Sequence, residues 1–157
     1  FLDEIWPQIA DTVPEARFYI VGGHPPEALQ ARADGERVII TGFVDDLAPW
    51  YAAATVFVSP LLVAGGLLQK VLDAMAMGVP VVATSVCNHG VGALPGEHLI
   101  TADEPEAFAA AVVALLRDPE RRHEMGSAGQ TFVRENYDLA PAVDRWSEAI
   151  EDLVAPD

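Results

Sequence analysis

"GGLLQKVLDAMAMGVPVVATS", Gly65 to Ser85, changes its hydrophobic period halfway along. Gly66 to Met77 suits a helix closed by Gly78, and "VPVVATS" behind it is apolar nearly throughout. An uninterrupted apolar run that short is a strand covered on both faces, as in a parallel sheet. The residues in front, "ATVFVSP" at 54–60, read as another such strand. Strand, helix and strand in succession form a crossover unit.

The alternation extends in both directions. Leu2, Ile5, Trp6 and Ile9 recur at helical spacing before Pro14, and "ARFYIVGG" then gives a strand from Ala16 to Val21. "PEALQARA" suits a helix, "RVIITGF" a strand, and "DDLAPWYAAA" a helix capped near Asp45 or Asp46. Downstream, "EHLIT" is a fifth strand. Three helical segments follow, "PEAFAAAVVALLRD", "PERRHEMGSAGQTFVREN" and "LAPAVDRWSEAIEDLV". The pattern predicts an α/β fold, an open Rossmann-like parallel sheet with helices on both faces.

Such sheets bind ligands at the carboxyl ends of their strands, where helix N-termini attract anions. The loops at that edge are Gly22 to Pro26, Gly42 to Asp46, Pro60 to Leu68 and Ser85 to Gly92. In the third, Gly65 and Gly66 would let a phosphate approach the main chain. The N–H groups of Gly66, Leu67, Leu68 and Gln69 would then face it. Lys70 is the only lysine of the chain. Three residues before Asp73, it shares a helix face with that carboxylate, and two readings stay open. The two side chains pair on the surface, or the ammonium meets phosphate while the carboxylate accepts from ribose hydroxyls.

Composition narrows the function classes. A formal net charge of −15 over 157 residues repels nucleic acid and anionic membranes, and no basic patch offsets it. Arg117, Arg121 and Arg122, interleaved with Asp118 and Glu120, read as a solvated helix face. Cys87 is alone, so no internal disulfide forms, and no apolar run approaches the roughly 20 residues that span a bilayer. An intracellular, cytoplasmic location is the expectation. The opening "FLDEIWP" reads as a helix entered midway, and the chain is expected to be a fragment. His24, His89, His98 and His123 lack metal-ligand spacing, so no metal is expected. Ser85 and Cys87 lack an adjacent base. Met75, Trp50 and Tyr51 read as packing residues.

"GFVDDLAPWYAAATVFVSP" followed by "GGLLQKVLDAMAMGVPVVATS" resembles the donor-binding, C-terminal half of a GT-B glycosyltransferase of the retaining group 1 (family 4-like) family. "EIWPQIADTVPEARFYIVGG" and "FVRENYD" resemble flanking parts of that domain, so the likeness covers nearly the whole chain. It implies that residues 1–157 hold a nucleoside diphosphate sugar, UDP- or GDP-linked, without a metal or other cofactor. It also implies that the sugar passes, with retention, to an acceptor sugar or lipid-linked glycan. The acceptor would be bound by a missing N-terminal domain, through which any contact with the inner membrane would run. The first strand of the sheet is expected to be missing as well.

Carried over residue by residue, the family's ribose-binding glutamate falls on Asp73, one methylene shorter. Its sugar-contacting glutamate falls on Gly65, and the following Gly-Phe-Gly becomes Gly66, Leu67 and Leu68. Lys70 resembles a lysine found in a subset of the family and would stabilise the departing diphosphate. The base would pack near Phe43 and Val44, with Gly22 and Gly23 lining the same cleft. Two rivals remain: a degenerate domain that binds nucleotide without transfer, favoured by the absent carboxylate at Gly65, and a dehydrogenase-like dinucleotide fold. "VGGHPPEA" does not supply the Gly-x-Gly-x-x-Gly turn of the latter.

Overall fold

The computed structural model describes residues 1–138, so the third C-terminal helix expected at 139–154 lies outside the described residues. Elements alternate in the order α1 (Trp6–Thr12), β1 (Phe18–Val21), α2 (Glu27–Gln30), β2 (Val38–Gly42), α3 (Ala48–Ala53), β3 (Phe57–Ser59) and α4 (Gln69–Ala76). They continue with β4 (Val81–Ala83), α5 (Ser85–His89), β5 (Ile100–Thr101), α6 (Pro105–Arg117) and α7 (Pro119–Tyr137). Among the described residues every pairing of named strands is parallel, as the alternation predicts.

The sheet is divided. β1 pairs with β2, and β3, β4 and β5 form a second sheet in that order. Among the described residues no strand joins the two. β4 lies between two strands, and its side chains alternate between two cores. Val81 and Ala83 pack with Val71, Leu72, Ala74 and Met75 of α4 and with Cys87. Val82 points the other way, among Ile5, Ile9, Phe108, Leu115 and Met125. Helices therefore cover both faces of this sheet.

Several boundaries differ from expectation for local reasons. The helix expected over "PEALQARA" shortens to α2 because Asp34 Oδ1 accepts the N–H groups of Glu36, Arg37 and Val38 at 2.8, 2.7 and 2.9 Å. A side chain that gathers three donors turns the backbone out of a helix. Asp46 Oδ1 accepts from Ala48 N at 2.9 Å, and α3 starts only after it, with Pro49 in its first turn. α4 starts at Gln69 rather than near Gly66, because Gly66 takes φ +71° and Leu68 is extended. α5 lies within the segment expected to be a loop. Thr84 caps it by accepting from Cys87 N.

The arginines are also not merely solvated. Arg117 Nη2 donates to Thr12 O at 2.8 Å, tying α6 to α1. Arg122 Nη1 donates to Leu115 O and Leu116 O at 2.7 and 2.8 Å, satisfying carbonyls at the end of α6. Met75 is core, as expected, but Met77, which also reads as a packing residue from its place in the same apolar helix, is 44% exposed.

Candidate functional site

The first two strands end in glycine turns that meet. Gly22 N donates to Gly42 O at 3.2 Å, with Gly22 at φ +151° and Gly42 at φ +73°. A Cβ on Gly23 would stand 3.4 Å from Phe43 Cβ, so the two loops touch. Phe43 is 77% exposed beside them, and Val44 is half-buried. His24 holds φ +54°, a conformation that costs a non-glycine residue free energy. Gly22, Gly23, Phe43 and Val44 thus come together as one surface.

The third and fourth loops form a second surface. Gly65, Gly66 and Leu67 are exposed, and Leu68 is the half-buried N-cap of α4, with no side chain capping the helix. Because α4 starts late, the Gly66 and Leu67 N–H groups belong to the turn before it. Gln69 and Lys70 occupy its first turn, where N–H groups have no intrahelical acceptor.

Lys70 does not pair with Asp73. Gln69 Nε2 donates to Asp73 Oδ1 at 2.9 Å instead, and Lys70 makes no ion pair among the described residues. The chain's one lysine therefore stands exposed and unneutralised at the positive end of a helix dipole. A cation there is disfavoured by roughly 0.3–1 kcal/mol. Tyr51 of α3 reaches the same helix, its hydroxyl donating to Lys70 O at 3.4 Å. Burial, and secondarily the Asp73 charge, push the Tyr51 phenol above its ordinary pKa, so it stays a donor at neutral pH.

Sequence reasoning missed the support behind this turn. Thr84 Oγ1 donates to Leu61 O at 2.6 Å, and Ser59 Oγ donates to the buried Cys87 Sγ at 3.3 Å. Ser85 donates to Asp103 through both N and Oγ at 2.7 Å, which holds the Asp103 carboxyl below its ordinary range. The only sequence signal was a threonine before a polar, five-residue stretch. His89 is exposed on this segment.

No hydrogen bond or ion pair among the described residues joins the Gly22–Val44 surface directly to the Gly65–Asp73 surface. The link between them is α3, which follows β2 and touches α4 through Tyr51. A groove of about 650 Å³ lies elsewhere, between the Glu97–His98 turn and α7, and contains none of the expected site residues. Among the described residues, no group of three or more His, Cys, Asp or Glu is placed to hold a metal ion. No described helix is long and apolar enough to cross a membrane.

Comparison with known proteins agrees with this architecture. The chain is 33% identical over 146 residues to a GDP-mannose-dependent alpha-(1-6)-phosphatidylinositol monomannoside mannosyltransferase of Mycolicibacterium smegmatis, covering 83% of this chain and 38% of that protein. It thus spans about two-fifths of the length of the curated relatives it matches. Among solved structures, Anabaena HepE in complex with UDP superposes with a TM-score of 0.81 at 18% identity, over 93% of this chain and 43% of that one. The C-terminal domain of the group 1 family glycosyl transferase LpcC from Francisella tularensis gives a TM-score of 0.71 at 19% identity, over 85% of this chain and 78% of that one. At these identities the structures speak for a shared fold. The model of the family described as "Glycosyl transferases group 1" matches residues 1–118, and with its parallel Rossmann-like sheets the chain belongs to that family.

Proposed function

We propose that this chain is the donor side of a retaining glycosyltransferase and holds the nucleoside diphosphate of an activated sugar. One observation carries the reading. Lys70 sits unpaired in the first turn of α4, where only an anion would make its charge favourable, beside a turn whose glycines leave the backbone open. In the reaction the bond from the anomeric carbon to the diphosphate breaks and one to an acceptor oxygen forms. The diphosphate gains negative charge as it leaves. The Lys70 ammonium and the N–H groups of Gly66, Leu67, Leu68 and Gln69 stabilise that charge, with no metal in this reading.

The remaining residues hold the rest of the donor. Asp73 accepts from the ribose hydroxyls with the oxygen that Gln69 leaves free. Phe43 and Val44 face the base, and Gly22 and Gly23 admit it to the turn beside them. Gly65 offers the sugar no carboxylate, which favours the second reading, a domain that binds nucleotide without transferring sugar. UDP is present in HepE and GDP-mannose is named for the mycobacterial relative, so both bases are candidates.

The acceptor, a sugar or a lipid-linked glycan, would be bound by a separate domain on the cytoplasmic side, and the chain alone would be inactive. Sheet order supports the view that a strand is contributed from outside residues 1–138. A doubly wound sheet has the order 3-2-1-4-5-6. Removing its first strand leaves one pair and one trio, the arrangement seen in β2–β1 and β3–β4–β5. Titration calorimetry with UDP and GDP tests the pocket, and a turnover assay on the longer protein tests transfer. Binding of one nucleotide together with turnover supports the proposal. Binding without turnover selects the degenerate domain, and no binding of either rejects both.

A further inference from the structure

The turn at Gly66 has little side chain to hold it beyond Leu68, which packs against the core at the start of α4. Gly65 and Gly66 carry none, while Leu62 and Val63 are 81% and 87% exposed, so its shape depends on what its backbone touches. Two further contacts hold its backbone, and both come from α5 and its caps. At one end Thr84 Oγ1 donates to Leu61 O. At the other, Gly90 lies so close to Gly66 that a Cβ on Gly90 would collide with the Gly66 carbonyl and stand 3.2 Å from Leu67 N. Gly90 itself takes φ −78°, ψ −22°, which any residue adopts. The glycine is therefore required by the contact and not by the backbone.

α5 is anchored along its length. Thr84 and Cys87 are buried, and Ser85 is held twice by Asp103. Asn88 exchanges two hydrogen bonds with Ala93, at 2.9 and 3.1 Å. The helix behaves as a peg driven into the buried sheet, with one face against the turn.

We infer that Thr84 and Gly90 are positioning residues of the donor site, which set the Gly66–Lys70 backbone where it can meet the diphosphate. This rests on the donor reading above. Neither residue touches the ligand. Their effect therefore falls on the phosphate part of the nucleotide and not on its base.

Gly90→Ala tests this against Gly126→Ala, a matched control. A Cβ on Gly126 would collide with the carbonyl of Gly78, at the opposite end of α4 from the turn. In Gly90→Ala the amide signals of Gly66 to Gln69 should shift and exchange faster with solvent, while those of β4 stay put. Affinity for UDP or GDP should fall about tenfold or more, and that for uridine or guanosine should change less than about twofold. Gly126→Ala should lower the melting temperature yet leave the turn signals and the diphosphate-to-nucleoside affinity ratio unchanged. Thr84→Val should reproduce Gly90→Ala, and Thr84→Ser should restore wild-type behaviour, which keeps the test intact if Gly90→Ala fails to fold. Unmoved turn signals in Gly90→Ala or Thr84→Val overturn the inference, as does an equal disturbance in Gly126→Ala. If the wild-type chain binds neither UDP nor GDP, the donor reading falls, while shifted turn signals would still uphold the contact from α5 and unmoved ones would still refute it.

Discussion

Val81, Val82 and Ala83 of β4 are each 0% exposed, whereas in β1 no residue is buried and Tyr19 is 43% exposed. The two strands are equally apolar in sequence. They differ in neighbours among the described residues: β4 has a strand on either side and helices on both faces, while β1 pairs with β2 and is covered by Phe1 and Trp6, whose rings lie 4.7 and 5.7 Å from that of Phe18. The candidate site straddles this difference. Lys70 and the Gly66 turn stand on the buried sheet, and Phe43 with the Gly22 turn on the open one. In the proposed donor reading, the phosphate would lie against the buried sheet and the base against the open one.

Disrupting each sheet separately gives the largest effect. Val82→Asp would bury a charge without a partner and cost several kcal/mol, enough to prevent folding by circular dichroism, whereas Tyr19→Ser should cost less than about 1 kcal/mol in urea denaturation. Equal losses would remove the contrast. Lys70→Ala comes next: it should weaken binding of UDP or GDP by more than roughly 1 kcal/mol in calorimetry. It should also raise the stability of the free chain by a few tenths of a kcal/mol, because a cation leaves the positive end of α4. A loss of stability would instead point to a surface partner for Lys70. On the open sheet, Phe43→Ala should weaken UDP and uridine alike by about 1 kcal/mol, the scale of one aromatic contact. A loss confined to UDP would place Phe43 against phosphate.

The smallest effect concerns pH. Hydrogen bonds from Ser85, through its side chain first and its backbone second, hold Asp103 below its ordinary range, so the folded form takes up that proton less readily than the unfolded one. The stability this contributes is complete above about pH 4 and is lost as pH falls through the lowered value. Asp34, lowered by the N–H groups of Val38, Arg37 and Glu36, acts in the same window. Asp103→Asn should therefore flatten only part of the acid limb of urea midpoints measured from pH 5 downward. An unchanged limb would show that Asp103 does not tether α5.

The segment from β3 through α4 to β4 was legible because its hydrophobic period switches sharply and Gly78, at φ +71°, closes the helix. Its start was misplaced, since a leucine pair after two glycines carries no capping residue to mark Gln69. α5 was invisible for a different reason: five residues are too few for periodicity, and Thr84 acts through a buried hydroxyl that sequence cannot place. Lys70 and Asp73 had the spacing of a pair, yet Gln69 reached the carboxylate first.

By itself the sequence determined the alternation of strand and helix and the parallel pairing, because these follow from the hydrophobic period and the glycine positions. Only the tertiary structure decided that Lys70 is left unpaired and that α5 backs the glycine turn. Those outcomes depend on which groups meet across long stretches of chain, and residues with the same local preferences compete for the same partners.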